Sequence, residues 1–164
     1  MGYRHPALIV SKSTASYVVD AVATAVRWGE ERELSVPIVK VPDATSSGAE
    51  QALLTFLKHN EGTDSVYAIE ESGALGALRA ARVLGLDVPA ELGIVCGLDG
   101  PALRESWPPI TGIDLKPELV GRRAARQVIE YAEASVKRAL KTVVPFSIQG
   151  RRSTDGAARV LNGQ

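Results

Sequence analysis

Acidic and hydroxyl-bearing side chains follow the apolar segments in the first two thirds of this sequence. After these segments come Ser11, Lys12 and Ser13, then Asp43, then Glu70 and Glu71, and finally Asp99. Grouped in one place, carboxylates could accept hydrogen bonds from sugar hydroxyls, attract a cation or hold a divalent metal. Three of these acids also have a plainer explanation. Asp99 can cap a turn, and Glu70 and Glu71 suit the positive end of a helix dipole.

The apolar segments that precede these residues have the length and composition of buried strands. They cover residues 7–10, 36–41, 65–69 and 92–97. Because they are apolar throughout and are each followed by a helix or a turn, they predict an α/β fold with a parallel sheet between two layers of helices. Ligands bind beyond the carboxyl ends of the strands in such sheets, so the acids and serines are expected to share one site.

Capping residues predict where the helices begin and end. The expected caps are Ser13 or Thr14 for a helix reaching about residue 33, Ser47 with Glu50 for the second helix, and Ser72 for a third helix that stops at Gly85. In the first helix, Tyr17, Val18 and Trp28 belong to the face that its apolar spacing predicts to be buried.

A longer helix is predicted from Pro117, at the first helical position that proline prefers. Its apolar stripe consists of Val120, Ala124, Val128, Ala132, Val136 and Leu140, and its basic residues mostly lie off this stripe, as on a solvated face. Residues 143–149 are predicted to form a last strand, and the tail after them is expected to be frayed.

Size and composition limit the possible classes of protein. A chain of 164 residues that is 45% hydrophobic fits one domain with a substantial core. The formal charge is zero, with net −5 over residues 1–113 and net +5 over residues 114–164. A single cysteine excludes an internal disulfide, and the sequence begins without a signal-like apolar core, so we expect a soluble, cytoplasmic protein without membrane contact.

No motif of catalysis or cofactor binding is present. The sequence lacks GxSxG, HExxH and a Walker loop, and its SGALGAL stretch lacks the spacing of a dinucleotide-binding loop. Cys96 lies inside an apolar strand, where a thiol is expected to be buried and inert. Trp107, in the loop before Pro108, could stack on a ligand or seal a lobe or subunit contact. We therefore predict a protein that is not an enzyme and has no cofactor, catalytic residue or metal.

Several segments together resemble the effector-binding region of the lactose-repressor (LacI/GalR) family of bacterial transcription regulators. GYRHPALIV is similar to the family's glycine, histidine, basic residue and strand, and GRRST to its closing arginine and serine. EESGALGALRAARVLGLDVPAELGIVCGLDG and PPITGIDLKPELVGRRAA resemble the family's segments between these two ends. The similarity covers nearly the whole chain, in the right order.

The resemblance implies a type I fold like that of periplasmic binding proteins, with a ligand between two lobes. Residues 1–113 would form the second lobe, 114–141 the crossover segment and a helix of an otherwise missing first lobe, and 142–164 the returning strand and tail. It also implies a homodimer, and operator DNA contacted only through a helix-turn-helix headpiece that this chain lacks. The apolar stripe of the long helix is then expected to fold back, swap or dimerise.

The strand ends, together with the loop residue Trp107, give a candidate ligand site of Ser11, Ser13, Asp43, Glu70, Glu71, Asp99 and Trp107. Of these, Asp99 matches the family's sugar-binding acid. The family's arginine is replaced by Val18, and its Asn-Asp pair by Glu70 and Glu71. Since nothing neutralises the added carboxylates, we expect a neutral polyol or a cationic small molecule as effector. The alternatives are a solute-binding protein of a sugar transport system and a metal-dependent α/β enzyme that uses the acids.

Overall fold

Seven strands form one sheet in the order β2-β1-β3-β4-β5-β6-β7. The computed structural model describes residues 2–133 and 141–154, together with the backbone of 160–162. The strands are β1 (Pro6–Ser11), β2 (Ile38–Val41), β3 (Ser65–Ala68), β4 (Gly93–Cys96), β5 (Thr111–Asp114), β6 (Ser147–Gln149) and β7 (Val160–Asn162). The helices are α1 (Ser16–Glu30), α2 (Ser46–His59), α3 (Glu71–Leu84), α4 (Pro101–Glu105) and α5 (Pro117–Glu133).

The direction of the chain across the sheet reverses after β2. Strands β1 to β5 are parallel, whereas β6 and β7 are antiparallel to their neighbours. From β1 the chain moves to β2 on one side, and it then returns to place β3 on the other side of β1. The carboxyl ends of β1 and β3 therefore flank a topological switch point, which is where open α/β sheets bind ligands.

Alternate residues of β1, β2 and β3 enter two separate apolar cores. Ala7 and Ile9 of β1 pack with buried residues of α2, α3 and α4 on one face of the sheet. Leu8 and Val10 pack with Val18 and further residues of α1 on the other face. The predicted three-layer α/β architecture, with a mostly parallel sheet, is confirmed.

Helices α2 and α3 pack unusually closely because a glycine lies at their contact. A Cβ atom added to Gly76 of α3 would lie 2.4 Å from the Cβ of Ala49 and 2.8 Å from backbone atoms of α2. Helix α3 ends at Gly85, whose φ of 72° is the left-handed conformation that glycine adopts without strain. This end agrees with the sequence prediction.

Residues 151–154, which follow β6, fasten this part of the chain to the middle of the sheet. The buried hydroxyl of Ser153 donates to the carbonyl of Ile94 in β4 at 2.6 Å and accepts from the backbone N–H of Thr111 in β5 at 2.8 Å. The N–H of Ile94 in turn donates to the carbonyl of Ser153 at 2.9 Å. This closing segment thus takes part in the same layer as the central strands.

Several local predictions differ from the structure. Helix α1 begins after Ala15, which caps it without a side-chain hydrogen bond, and it ends at Glu30 rather than near residue 33. Helix α2 is capped by Thr45, whose hydroxyl accepts from the N–H of Gly48, and not by the predicted capping box. Helix α3 is preceded by Glu70, so it begins one residue before the predicted cap, Ser72.

The C-terminal third also departs from the predictions. Strand β6 begins at Ser147, later than expected, and Val160–Asn162 of the supposedly frayed tail pairs with it as β7. Helix α5 begins at Pro117 as predicted, but none of its described residues is buried, and Val128 is 68% exposed. Its predicted stripe positions 136 and 140 lie outside the described residues. In the described part of the chain, no helix has the length and apolarity needed to cross a membrane.

Candidate functional site

Ser11 and Glu70 meet at the topological switch point between β1 and β3. Ser11 is the last residue of β1, and Glu70 follows β3 and caps the amino end of α3. The hydroxyl of Ser11 donates a hydrogen bond of 2.9 Å to Oε1 of Glu70. Two of the predicted site residues, 59 positions apart, are therefore in direct contact at the edge where a ligand is expected.

Tyr17, in the first turn of α1, joins this pair. Its hydroxyl donates to the same oxygen, Oε1 of Glu70, also at 2.9 Å, while the residue remains 54% exposed. The hydrogen bond to Glu70, and then the charge of Glu70, raise the pKa of Tyr17 above its ordinary value, so the hydroxyl keeps its proton. The sequence analysis missed Tyr17 because it treated the ring as part of a buried helix face. Its position in the first turn of the helix that follows β1 was the available signal, because that turn lies near the carboxyl end of the strand.

Asp43 shares a small cavity with Ser11 and Glu70. The cavity also borders on the first residues of α3, including Ser72. One oxygen of Asp43, Oδ1, accepts a 2.8 Å hydrogen bond from the hydroxyl of Thr45, which itself caps α2. The carboxyl edge of the first three strands is therefore lined by two acids and several hydroxyl groups, as the strand-end argument predicted.

Glu71 and Asp99 lie further along the same edge, around the end of β4. Glu71 lies close to Gly100, where an added Cβ would be 2.3 Å from Oε2 of Glu71. Burial, and to a smaller extent the nearby charges of Glu71, Asp99 and Glu70, raise the pKa of the Cys96 thiol to about 11. Cys96 has no exposed surface, so the prediction that its thiol is buried is confirmed.

Asp99 is held by two arginines. Its Oδ2 lies 3.2 Å from Nε of Arg104 and its Oδ1 lies 2.8 Å from Nη1 of Arg151, while only 6% of its side chain is exposed. Nη1 of Arg151 donates its hydrogen bond to the carbonyl of Ile110 instead, at 2.7 Å. The contact with Oδ1 is thus an ion pair without a hydrogen bond, and this buried oxygen accepts none from the described residues.

Two predicted site residues do not join the others. Trp107 precedes β5 instead of following a strand, so it lies at the amino edge of the sheet beside Val88 and Pro89. There its ring stacks on the guanidinium of Arg152 at 4.8 Å, and 66% of its surface is exposed. Ser13 lies in the exposed turn before α1, where its hydroxyl accepts from the N–H of Ala15 at 3.1 Å.

The arrangement can bind donors of hydrogen bonds. Ionised carboxylates only accept, so the switch-point acids favour hydroxyl or ammonium groups on a partner. Among the residues that the structure describes, no three His, Cys, Asp or Glu side chains converge in a way that could hold a metal ion.

The model of the periplasmic binding protein-like domain family matches residues 1–154 of this chain. Among curated proteins, the chain is similar to the HTH-type transcriptional regulator CelR of Thermobifida fusca, with 26% identity over 121 residues. That match covers 74% of this chain but 36% of the regulator, so the chain spans little more than a third of this relative's length.

Solved structures of LacI family regulators share the fold. A regulator from Bifidobacterium animalis subsp. lactis superposes with a TM-score of 0.86 at 20% identity, over 96% of this chain and 57% of that chain. Another, from Arthrobacter sp. FB24 in complex with lactose, has a TM-score of 0.80 at 23% identity, over 93% of this chain and 59% of that chain. The resemblance to the effector-binding region of LacI/GalR regulators is thereby confirmed, and the chain belongs to the periplasmic binding protein-like domain family.

Proposed function

We propose that this chain is the effector-binding part of a LacI-type transcription regulator that acts in the cytoplasm. The observation that carries the proposal is the contact of Ser11 and Glu70 at the switch point of a periplasmic binding protein-like lobe. The similar proteins are transcription regulators, and one similar structure is a complex with lactose. Both support a protein that senses a small polar molecule.

The effector of this proposal is a neutral polyol, such as a sugar, or a cationic molecule. Glu70 and Asp43 border one cavity, and the arginines nearest to the acids, Arg104 and Arg151, are paired with Asp99. An anionic ligand would thus meet uncompensated negative charge, whereas hydroxyl and ammonium groups would find acceptors. Asp99 could contact such a ligand through Oδ2, since its partner there, Arg104, has a side chain that is 56% exposed.

The division of the chain into lobes is part of the same proposal. Residues 1–113 form one lobe, residues 114–141 cross to a second lobe, and residues 142–164 return to the first. The absence of buried residues in α5 and the antiparallel pairing of β6 with β5 support this division. The whole protein acts as a homodimer and contacts operator DNA through a separate headpiece.

Thermal unfolding of the full-length protein tests this function. Neutral sugars, including lactose, and amines should raise the melting temperature, because a ligand at a hundred times its Kd stabilises by about 2.7 kcal/mol. Glu70→Ala should abolish the shift, whereas Glu61→Ala, in an exposed loop, should preserve it. Stabilisation by sugar phosphates alone would contradict the proposed effector class.

DNA binding provides the second part of the test. Fluorescence anisotropy with DNA from upstream of its own gene should show binding whose affinity changes with the stabilising compound. A protein that binds a sugar but none of this DNA would instead be a solute-binding protein of transport.

A further inference from the structure

Glu70 uses only one of its two carboxylate oxygens within the described chain. Ser11 and Tyr17 both donate to Oε1, each at 2.9 Å, and no described residue donates to Oε2. Two donors from different elements, one at the end of β1 and one in α1, fix the orientation of the carboxylate better than either would alone. Oε2 is the oxygen left for a ligand.

Tyr17, whose hydroxyl contacts Oε1 of Glu70, also contributes an apolar surface. Its ring is 54% exposed and borders a groove between α1 and the sheet, with Ala21 and Tyr67 among the other lining residues. The C–H faces of a sugar ring pack well on an aromatic ring, whereas its hydroxyl groups need acceptors such as Oε2. Tyr17 therefore offers an exposed ring for a sugar face, while its hydroxyl orients the carboxylate of Glu70.

The negative charges around Glu70 favour a ligand that carries hydrogen-bond donors. Asp43 lies on the same cavity, and the charges of Glu71 and Asp99 lie near the end of the adjacent β4. Lys12 is also at this edge, but its side chain is exposed, where solvent and salt screen its charge. A ligand group that carries negative charge at this point would be repelled.

On these grounds, and resting on the proposed function, we propose that Tyr17 is a positioning residue that holds Glu70 so that Oε2 selects effectors bearing a hydrogen-bond donor and rejects anionic ones. The shared chemistry of the accepted groups is a hydroxyl or an ammonium donor. No bond is made or broken in this selection.

Three lactose derivatives of different charge test the selection on the full-length protein by calorimetry. They are lactose, which is neutral, lactosamine with its free ammonium group, and lactobionate, which is anionic and has an open-chain gluconate unit. The wild type should bind lactose or lactosamine at least tenfold more tightly than lactobionate. Tyr17→Phe keeps the ring but loses the hydroxyl. It should weaken the affinity for the preferred sugar about fivefold and reduce the discrimination against lactobionate. Tyr131→Phe in α5 is the matched control and should change neither.

Glu70→Gln tests the charge itself. It should bring the affinity for lactobionate to within about threefold of the affinity for lactosamine, since the glutamine amide both donates and accepts hydrogen bonds. Preference of the wild type for lactobionate, or Tyr17→Phe with unchanged affinities and discrimination, would overturn the inference and leave the proposed function intact.

A titration without ligand keeps the inference testable if none of the three sugars binds, an outcome that would count against a sugar effector. Ultraviolet titration of the tyrosines should show one of them ionising at lower pH in Glu70→Gln than in the wild type, while Glu61→Gln leaves all unchanged. No shift in Glu70→Gln would show that Tyr17 does not hold Glu70, and would refute the positioning role.

Discussion

Asp99 illustrates how one acidic residue can be tied to distant parts of the chain. It follows β4, yet its closest partner, Arg151, comes from the closing segment after β6. Since only 6% of the Asp99 side chain and 15% of the Arg151 side chain are exposed, the pair is shielded from water. Removing one partner from such a pair leaves a buried charge without compensation.

Arg151→Ala should therefore destabilise the protein by about 3 kcal/mol, because Asp99 keeps its burial but loses its nearest cation. Arg104→Ala is the control, because the Arg104 side chain is 56% exposed; this change should cost less than about 1 kcal/mol. Urea unfolding at pH 7 measures both. Equal losses of stability in the two variants would show that the Arg151 contact contributes no more to the free energy of unfolding than the exposed Arg104 contact does.

The same residues show how far the site could be predicted. Ser11, Asp43 and Glu70 were expected at one edge because each follows a strand of a parallel sheet, and the structure brings them together. The partnership of Asp99 with Arg151 joins positions 52 apart, and no local spacing predicts it. Trp107 was grouped with the acids although it precedes a strand, and this alone places it at the opposite edge.

At the scale of the elements, the packing of α2 on α3 depends on side chains that are small or absent. Ala49 and Gly76 are in contact where the two helices approach each other closely. This contact cannot be predicted from the two residue types in the sequence. The order of β1 to β4 and of α1 to α3 was predictable from the apolar runs between turns, whereas the short helix α4 and the strand β7 were not predicted. The capping of α2 by Thr45 was not, because several neighbouring hydroxyl residues offered equivalent caps.

Two glycine-to-alanine changes should have opposite effects. Gly76→Ala forces a methyl group to within 2.4 Å of Ala49, so α2 and α3 must separate and stability should fall by about 2 kcal/mol. Gly121→Ala, in α5, meets nothing within 4 Å. There the better helix propensity of alanine should add about 0.5–1 kcal/mol. Differential scanning calorimetry measures both, and a stabilised Gly76→Ala protein would contradict the tight contact.

The whole molecule combines a well-packed sheet with a helix, α5, none of whose described residues is buried. Both faces of the sheet have apolar cores, whereas α5 exposes Val120, Val128, Ile129 and Tyr131. The sequence predicted the apolar stripe of α5 from its repeat of four. What covers that stripe depends on parts outside the helix, which is why the sequence of the helix alone leaves its partner open.

The 164-residue chain should therefore associate with itself through α5, because an exposed apolar stripe gains free energy when a second copy covers it. Light scattering coupled to size exclusion should show dimers or larger species whose fraction rises with concentration. Val128→Lys should shift the population towards monomer. Val83→Lys in α3 is the matched control, since the two valines are 64% and 68% exposed. A wild-type monomer with a protease-resistant α5 would count against this prediction.

The buried position of Ser153 between β4 and β5 also constrains how the protein folds during its synthesis. The hydroxyl that completes the hydrogen bonds of Ile94 is translated 59 residues after it. On the ribosome, the central strands of the nascent chain therefore lack these hydrogen bonds, and Asp99 lacks Arg151, until the segment with Arg151 and Ser153 emerges. The sheet can therefore be completed only after residues 151–154 have left the ribosome, and until then its central strands are exposed to wrong partners.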